Sequence, residues 1–267
     1  MSARLSLALR LPEEEIETWA TTADLFFVLA LGRSGSMFLA HLLQQAPRAY
    51  VCHEPVRADF VAYQAAYHHP DEALDYLRRF RMKDLYLRTL ATAEPVYGEV
   101  NSNLRRHAEA LGQVFPRAIR LHLVRDGRDV VRSTMSRRTF HAWDPVTFLI
   151  CPHAEDPLAE AWPQMDRFER LCWYWTVENR YLRHALARHV QFERLLSSYD
   201  YFVNELLVPL GLSITRDMWR TARQHPKNAT SQYGIPHWSN WDSDKKAAFE
   251  RICGQEMHEN GYEVNWQ

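Results

Sequence analysis

The side chains best suited to hold an anion fall in two short segments. Gly32-Arg33-Ser34-Gly35-Ser36 places two glycines, a guanidinium and two hydroxyls within one loop length. It follows the apolar run Leu25–Leu31 and precedes the helix-forming stretch Met37-Phe38-Leu39-Ala40-His41-Leu42-Leu43. A strand, a glycine loop and a helix start, in that order, aim backbone N–H groups and the positive end of a helix dipole at one point, which suits a phosphate or sulfate. Gly32 and Gly35 permit the tight backbone, and Ser36 adds a hydroxyl in the first turn. The segment has neither the Lys after its second glycine nor the Gly at position 30 that the nucleoside-triphosphate loop GxxxxGK[ST] requires. Arg33 offers its cation from inside the loop instead.

The second segment, Arg125-Asp126-Gly127-Arg128-Asp129-Val130-Val131-Arg132-Ser133, follows the apolar Ala118–Val124. Asp126 is placed to cap a helix and Asp129 suits its first turn. Arg125 stands at the carboxyl end of a strand, where open α/β sheets bind their ligands. Ser133, two helical turns beyond Asp126, returns to the same face, so Arg125 and Ser133 can converge on one phosphate.

Both segments need a scaffold of alternating strands and helices. Strands are predicted at Leu25–Leu31, Ala49–Cys52, Val96–Val100, Ala118–Val124 and His189–Phe192. Helices are predicted at Ser36–Gln45, Arg57–His68, Asp71–Ala91, Ser102–Phe115, Asp126–Arg137, Met165–Ala187, Asp200–Leu210 and Ser243–Asn260. That alternation predicts a parallel sheet covered by helices on both faces, in one α/β domain. Residues 1–23 read as an N-terminal extension and 24–267 as the domain. Between Phe140 and Pro163 four prolines and several aromatics, Phe140, Trp143 and Phe148 among them, interrupt the pattern. A loop of that length is expected to be either an acceptor lid or a surface insertion.

Together the two anion segments resemble the nucleotide-binding signatures of sulfotransferases that use 3′-phosphoadenylyl sulfate (PAPS). The resemblance implies a P-loop-containing three-layer α/β fold. It also implies that Gly32, Arg33, Ser34, Gly35, Ser36 and Met37 hold the 5′-phosphosulfate and that Arg125 and Ser133 hold the 3′-phosphate. His189-Val190-Gln191-Phe192-Glu193-Arg194-Leu195-Leu196 resembles the late strand of that family, and Leu207-Val208-Pro209-Leu210-Gly211-Leu212 the helix end after it. Pro226-Lys227-Asn228, His237-Trp238, Trp241 and Gly261-Tyr262 are similar to the terminal region of bacterial and carbohydrate members, which adds Lys227 and Trp238 to the donor-binding candidates. Trp238 and Trp241 stand open between stacking on adenine, walling the acceptor site and simple packing. The chain departs from many members in carrying Arg33 for Lys, Gly127 for Pro, and Val100 where some relatives have Lys.

The implied activity is in-line transfer of the sulfuryl group of PAPS to the hydroxyl of a carbohydrate or small alcohol, releasing adenosine 3′,5′-bisphosphate. By resemblance Glu54, in Cys52-His53-Glu54-Pro55, is the general base, with His53 and then Glu99 as alternatives, and Arg33 stabilises charge on the bridging oxygen. No metal is expected. Two other readings remain: a P-loop kinase of a small molecule, and a nucleotide-binding protein of the same fold without turnover.

Composition narrows the partners. The chain has 267 residues, 46% hydrophobic and 24% charged, enough to bury a sizeable core. Its 32 basic and 33 acidic side chains nearly cancel, so no dominating basic field exists for nucleic acid or a membrane surface. The longest apolar run, Leu25–Leu31, is too short to span a bilayer, and Arg4 and Arg10 followed by Glu13-Glu14-Glu15 break a signal-peptide pattern. Cys52, Cys151, Cys172 and Cys253 are far apart with no CxxC pair, which favours neither a metal site nor a disulfide framework and makes a reducing cytoplasm the default expectation. The 28 arginines against four lysines suit oxyanion binding and equally suit a GC-rich genome.

Overall fold

The computed structural model describes residues 12–92, 94–141, 144, 149–225, 230 and 232–266. Five strands, β1 (Leu25–Ala30), β2 (Ala49–His53), β3 (Val96–Asn101), β4 (Ile119–Val124) and β5 (His189–Gln191), form one parallel sheet in the order β2-β3-β1-β4-β5. The central strand β1 is buried along its whole length, as expected of a parallel strand covered on both faces. Its side chains alternate between two cores. Phe26, Val28 and Ala30 join Leu39, Leu43, Phe202 and Leu206 on one face, whereas Leu25, Phe27 and Leu29 join Ile16, Leu85, Leu111 and Phe115 on the other. Gly98 of β3 lies against the Phe26 ring, where a β-carbon would overlap it.

The helices before β3 are α1 (Glu13–Thr22), α2 (Ser36–Leu43), α3 (Ala58–His68), α4 (Pro70–Tyr76) and α5 (Met82–Leu90). α1 opens with three glutamates in its first turn and buries Ile16 and Ala20 in the second core. One continuous helix was expected over Asp71–Ala91; instead α4 and α5 flank a π-helical run, Leu77–Arg81. At its end Arg81 is fully buried, 3.0 Å from Asp59 and 2.6 Å from both oxygens of Glu99. The widened turn is a common way to re-aim one side chain without ending a helix.

α6 (Ala108–Val114) is preceded by a 3₁₀ turn, Arg105–His107, rather than starting at Ser102. Asn101 Oδ1 accepts the N–H groups of Asn103 and Leu104, an Asx turn that competes with helix there. After β4 come α7 (Gly127–Met135) and α8 (Arg167–Ala185), the latter opened by a capping box of Asp166 and Glu169. The described part of Phe140–Pro163 contains no α-helix or strand apart from the start of a 3₁₀ turn at Trp162–Gln164. It is tied to α3 by Tyr67 donating to Cys151 O and by His68 meeting Leu149 O, and to α8 by Trp173 donating to Asp156.

The strand predicted at His189–Phe192 ends at Gln191, because Phe192 starts α9 (Phe192–Ser197). The helix predicted over Asp200–Leu210 is α10 (Tyr199–Tyr201), a π-helical run Phe202–Leu207, and α11 (Val208–Leu210). Pro209, which has no N–H to close an α-turn, stands two residues after the end of that run. α12 (Arg216–Gln224), capped by Thr215, and α13 (Ser243–Glu259), capped by Asp242, complete the chain. α13 packs along α8 through Phe249, Ile252, Cys253 and Met257. Among the described residues no helix is long and apolar enough to cross a membrane, and all four cysteines are free.

Candidate active site

Chain direction after β1 leads toward β2 and after β4 toward β5, so the two connections diverge at the carboxyl edge and leave a crevice between them. The β1–α2 loop forms one wall. Gly35 precedes α2 in the left-handed region (φ 90°) with the Phe192 ring where its β-carbon would be, so only glycine fits. Arg33 is also left-handed, at φ 74°. No side chain caps α2, which leaves its first N–H groups directed at the crevice. Ser34 Oγ is fully buried with no hydrogen-bond partner among the described residues.

Arg33 crosses the crevice. Its Nε donates to Ser133 Oγ at 3.0 Å, its Nη2 to Thr230 Oγ1 at 3.0 Å, and those two hydroxyls lie 2.9 Å apart. Burial, then the Arg137 and Arg125 guanidiniums, push Arg33 below the ordinary guanidinium pKa. Such mutual repulsion is relieved by an anion between the cations.

Arg125, at the end of β4, donates to Arg33 O at 3.2 Å and to Asp129 at 3.1 Å. Its Nε is buried without a hydrogen-bond partner among the described residues, Glu193 Oε1 standing 3.9 Å away. Asp126 caps α7 by accepting Arg128 N at 2.8 Å and also holds the Arg128 guanidinium. Gly127 is pressed against Trp175 and Met257.

The ends of β2 and β3 close the other side. Ser36 Oγ lies 3.0 Å from His53 Nε2, and His53 Nε2 lies 3.7 Å from Glu54 Oε1. Burial lowers the His53 pKa, with Glu54 opposing, so the ring is neutral at neutral pH. Glu54 sits in the left-handed region at φ 43° and accepts from the Ser102 hydroxyl and, at 3.4 Å, from Ser102 N. Glu99 is fully buried, with both oxygens on Arg81 and further bonds from Tyr97 and Asn101, so no acceptor hydroxyl can reach it.

The structure therefore brings Gly32, Arg33, Ser34, Gly35, Ser36, Met37, His53, Glu54, Arg125 and Ser133 to one edge of the sheet. Trp238 stacks on the Arg128 guanidinium at 4.2 Å and against His237, and Trp241 is a core residue packed on Phe168, Phe249 and Trp266. Lys227, Trp143 and Phe148 lie outside the described residues. Three participants were not foreseen. Ser102 carried a usable signal, being the residue just past β3, whereas Thr230 and Tyr174 carried none.

A cavity of about 190 Å³ opens from Gly32 and Arg33 past Ser102 to Thr139 and Tyr174. Beneath it Arg105 is fixed by Glu178 at 2.7 Å, by Ser102 O and by Tyr174, with its guanidinium 3.6 Å over the Tyr63 ring. Arg105 and Arg106 hold the buried Glu178 below the usual carboxylate pKa despite its burial. Among the described residues no group of three or more His, Cys, Asp or Glu side chains is placed to hold a metal ion.

A parallel sheet with a cationic glycine loop after its central strand and a second cation at the next strand end defines an α/β protein built to handle an oxyanion. The chain belongs to the sulfotransferase family, whose model matches residues 26–217. No curated protein sequence matches it. Two solved structures resemble it in fold. The sulfotransferase domain from the curacin biosynthetic pathway is 12% identical with a TM-score of 0.53, covering 92% of this chain and 100% of that one. Sulfotransferase STF9 from Mycobacterium avium is 13% identical with a TM-score of 0.52, covering 98% of this chain and 86% of that one.

Proposed function

We propose that this protein transfers the sulfuryl group of PAPS to the hydroxyl of a small acceptor and releases adenosine 3′,5′-bisphosphate. The observation that carries the reading is the junction of Arg33, Ser133, Thr230 and Arg125 at the mouths of β1 and β4. The orphaned Ser34 hydroxyl and Arg125 Nε fit an oxyanion ligand in the same place. Serving as a P-loop, the β1–α2 loop grips the 5′-phosphosulfate through its N–H groups, Ser36 and Arg33. Arg125 and Ser133, with Lys227 of the terminal segment, take the 3′-phosphate, and Trp238 lies on the nucleotide side.

The donor supplies an activated S–O bond, and the protein supplies position and charge. Glu54 accepts the proton of the acceptor hydroxyl as its oxygen bonds to sulfur and the bond from sulfur to the 5′-phosphate oxygen breaks. Arg33 and the loop N–H groups stabilise the charge left on that phosphate oxygen. His53, neutral and bonded to Ser36, positions the loop rather than taking the proton. Residues 24–267 form the catalytic domain and 140–163 the acceptor lid. The walls of the cavity, chiefly Leu31, Phe60, Val130, Val131 and Leu171, favour a small alcohol over a carbohydrate. The deciding experiment offers isotopically labelled PAPS without magnesium and, separately, labelled ATP with magnesium, which a kinase requires. Transfer from PAPS alone supports the reading. Transfer from ATP makes the protein a kinase, and bisphosphate binding with no transfer to any acceptor makes it a binding protein.

A further inference from the structure

Among the described residues the cavity has an apolar body and one lining cation, Arg137, with no hydrogen bond or ion pair from its guanidinium. Its volume, about 190 Å³, slightly exceeds the roughly 150 Å³ of an apolar cavity that takes benzene, so the enclosed part of a ligand is one ring or a short chain. Arg137 lines it and is exposed, as a side chain at an open mouth would be. The arginines around it are otherwise engaged. Arg105 and Arg106 are spent on Glu178, Arg125 on Asp129 and Arg128 on Asp126. The Arg137 guanidinium makes no hydrogen bond or ion pair with any described residue. Its charge also opposes that of Arg33.

The backbone that carries Arg137 is nonetheless held firmly. Arg167 of α8, which has no carboxylate partner among the described residues, donates to four main-chain carbonyls: Thr134 at 3.2 Å, Met135 at 3.1 Å, Arg137 at 2.5 Å and Thr139 at 2.9 Å. A half-buried guanidinium thus satisfies the carbonyls left over where α7 ends and fixes the turn on which Arg137 and Thr139 sit. Thr139, Thr134 and Asn103 add hydrogen-bonding groups to the lining. Asp144 lines the cavity as well, but it already interacts with other residues of the chain.

From this we infer that the acceptor is an anionic alcohol: a hydroxyl at one end, a ring or short aliphatic body, and a carboxylate at the other end that pairs with Arg137. The inference rests on the sulfotransferase reading of the same site. With the hydroxyl directed to Glu54 and the body against Phe60, Val131 and Leu171, the carboxylate reaches the open end. There it meets the planar donor fork that arginine presents to carboxylates. It also offsets the charge that Arg137 sets against Arg33.

The test is sulfuryl transfer from labelled PAPS to matched acceptor pairs, para-hydroxymethylbenzoate against para-methylbenzyl alcohol and an ω-hydroxyalkanoate against the corresponding alkanol. Wild type is expected to prefer the carboxylate of each pair by about tenfold or more in kcat/KM, chiefly through KM. Arg137→Met is expected to bring that ratio close to one, and Arg137→Lys to restore part of it. Titration with adenosine 3′,5′-bisphosphate is run on every variant to report an intact donor site. Equal use of both members by wild type, a preference that survives Arg137→Met, or no transfer to either carboxylate overturns the inference. Failure of wild type to bind the bisphosphate at all overturns the donor reading instead.

Discussion

Replacing Arg33 with Met separates a residue kept for catalysis from one kept for folding. Among the described residues the Arg33 guanidinium makes two bonds to hydroxyls, with Ser133 and Thr230, each of a size of about 1.5–3 kcal/mol as a bond from a charged group, and it has further interactions besides. Against them stand its partial burial and the repulsion of Arg125 and Arg137, both of which depress its pKa and so oppose the charged folded form. These contributions oppose one another, and a methionine adopts the left-handed φ of 74° at the same cost as an arginine. Stability in urea is therefore expected to fall by no more than about 2 kcal/mol. Turnover behaves differently, because loss of one preorganised donor to a developing oxyanion costs about 10²–10³ in rate, or about 2.7–4 kcal/mol. Steady-state transfer assays and urea melts on the same preparation measure both quantities. A loss of 3 kcal/mol or more in stability would show that Arg33 is a structural brace, and wild-type turnover would show that it does not face the reacting bond.

Glu54→Gln keeps the bond from Ser102 but removes the proton acceptor, so turnover should fall about 10²–10⁴-fold while bisphosphate binding persists; near-normal turnover shifts the base to His53. Gly35→Ala puts a β-carbon into the Phe192 ring at φ 90°, so strain and overpacking together should cost about 2–5 kcal/mol in urea unfolding, and a loss under 1 kcal/mol would mean the loop moves aside freely. Burial lowers His122 to about 3, so its contribution is complete above its ordinary value near 6.5 and is lost as pH falls through that window. His107, also lowered to about 3 and without a partner on either ring nitrogen among the described residues, acts in the same sense. Asp59, pushed up to about 6 by burial, acts oppositely, its contribution fading as pH rises through 6. His122→Gln should accordingly flatten the acid limb of stability relative to wild type between pH 6.5 and 4, and an unchanged difference across that range refutes the neutral buried state.

What the sequence made legible was the part that depends on local order. Strand, glycine loop and helix start are consecutive, so Gly32 to Met37 could be placed at a sheet edge from pattern alone, and Asp126 capping α7 follows from residue type. The helices not foreseen, α1, α9 and α12, are short or strongly polar, and their buried faces rest on one or two residues each: Ile16 and Ala20, Phe192 and Leu195, and Trp219. The π-helical runs were invisible because nothing local distinguishes Leu77–Arg81 from an α-helix. The run ends at Arg81, whose partners Asp59 and Glu99 are 22 and 18 residues away in sequence. For the same reason Glu99 read as a candidate base: only the tertiary structure shows its carboxylate consumed by Arg81.

The near-zero net charge of the chain hides an uneven distribution. Deep arginines are neutralised where they stand, Arg81 by Asp59 and Glu99, Arg105 and Arg106 by Glu178, Arg183 by Glu256. Those pairs bind elements to one another and leave no field outside. Around the β1–α2 loop the pattern reverses. The charges of Arg137 and Arg125 oppose that of Arg33, the carboxylates near Arg125, Asp129 and Glu193, are partly exposed, and the buried Ser34 hydroxyl has no hydrogen-bond partner among the described residues. Folding alone gives no reason to gather cations there, since their repulsion costs stability. A ligand that brings negative charge supplies the reason, and its size is bounded by a crevice that runs from Arg125 across Arg33 to Arg137. An anion at the Arg125 end alone would leave Arg137 without a role. The fixed turn beneath Arg137, held by four bonds from Arg167, argues that the second end is built for a ligand as deliberately as the first.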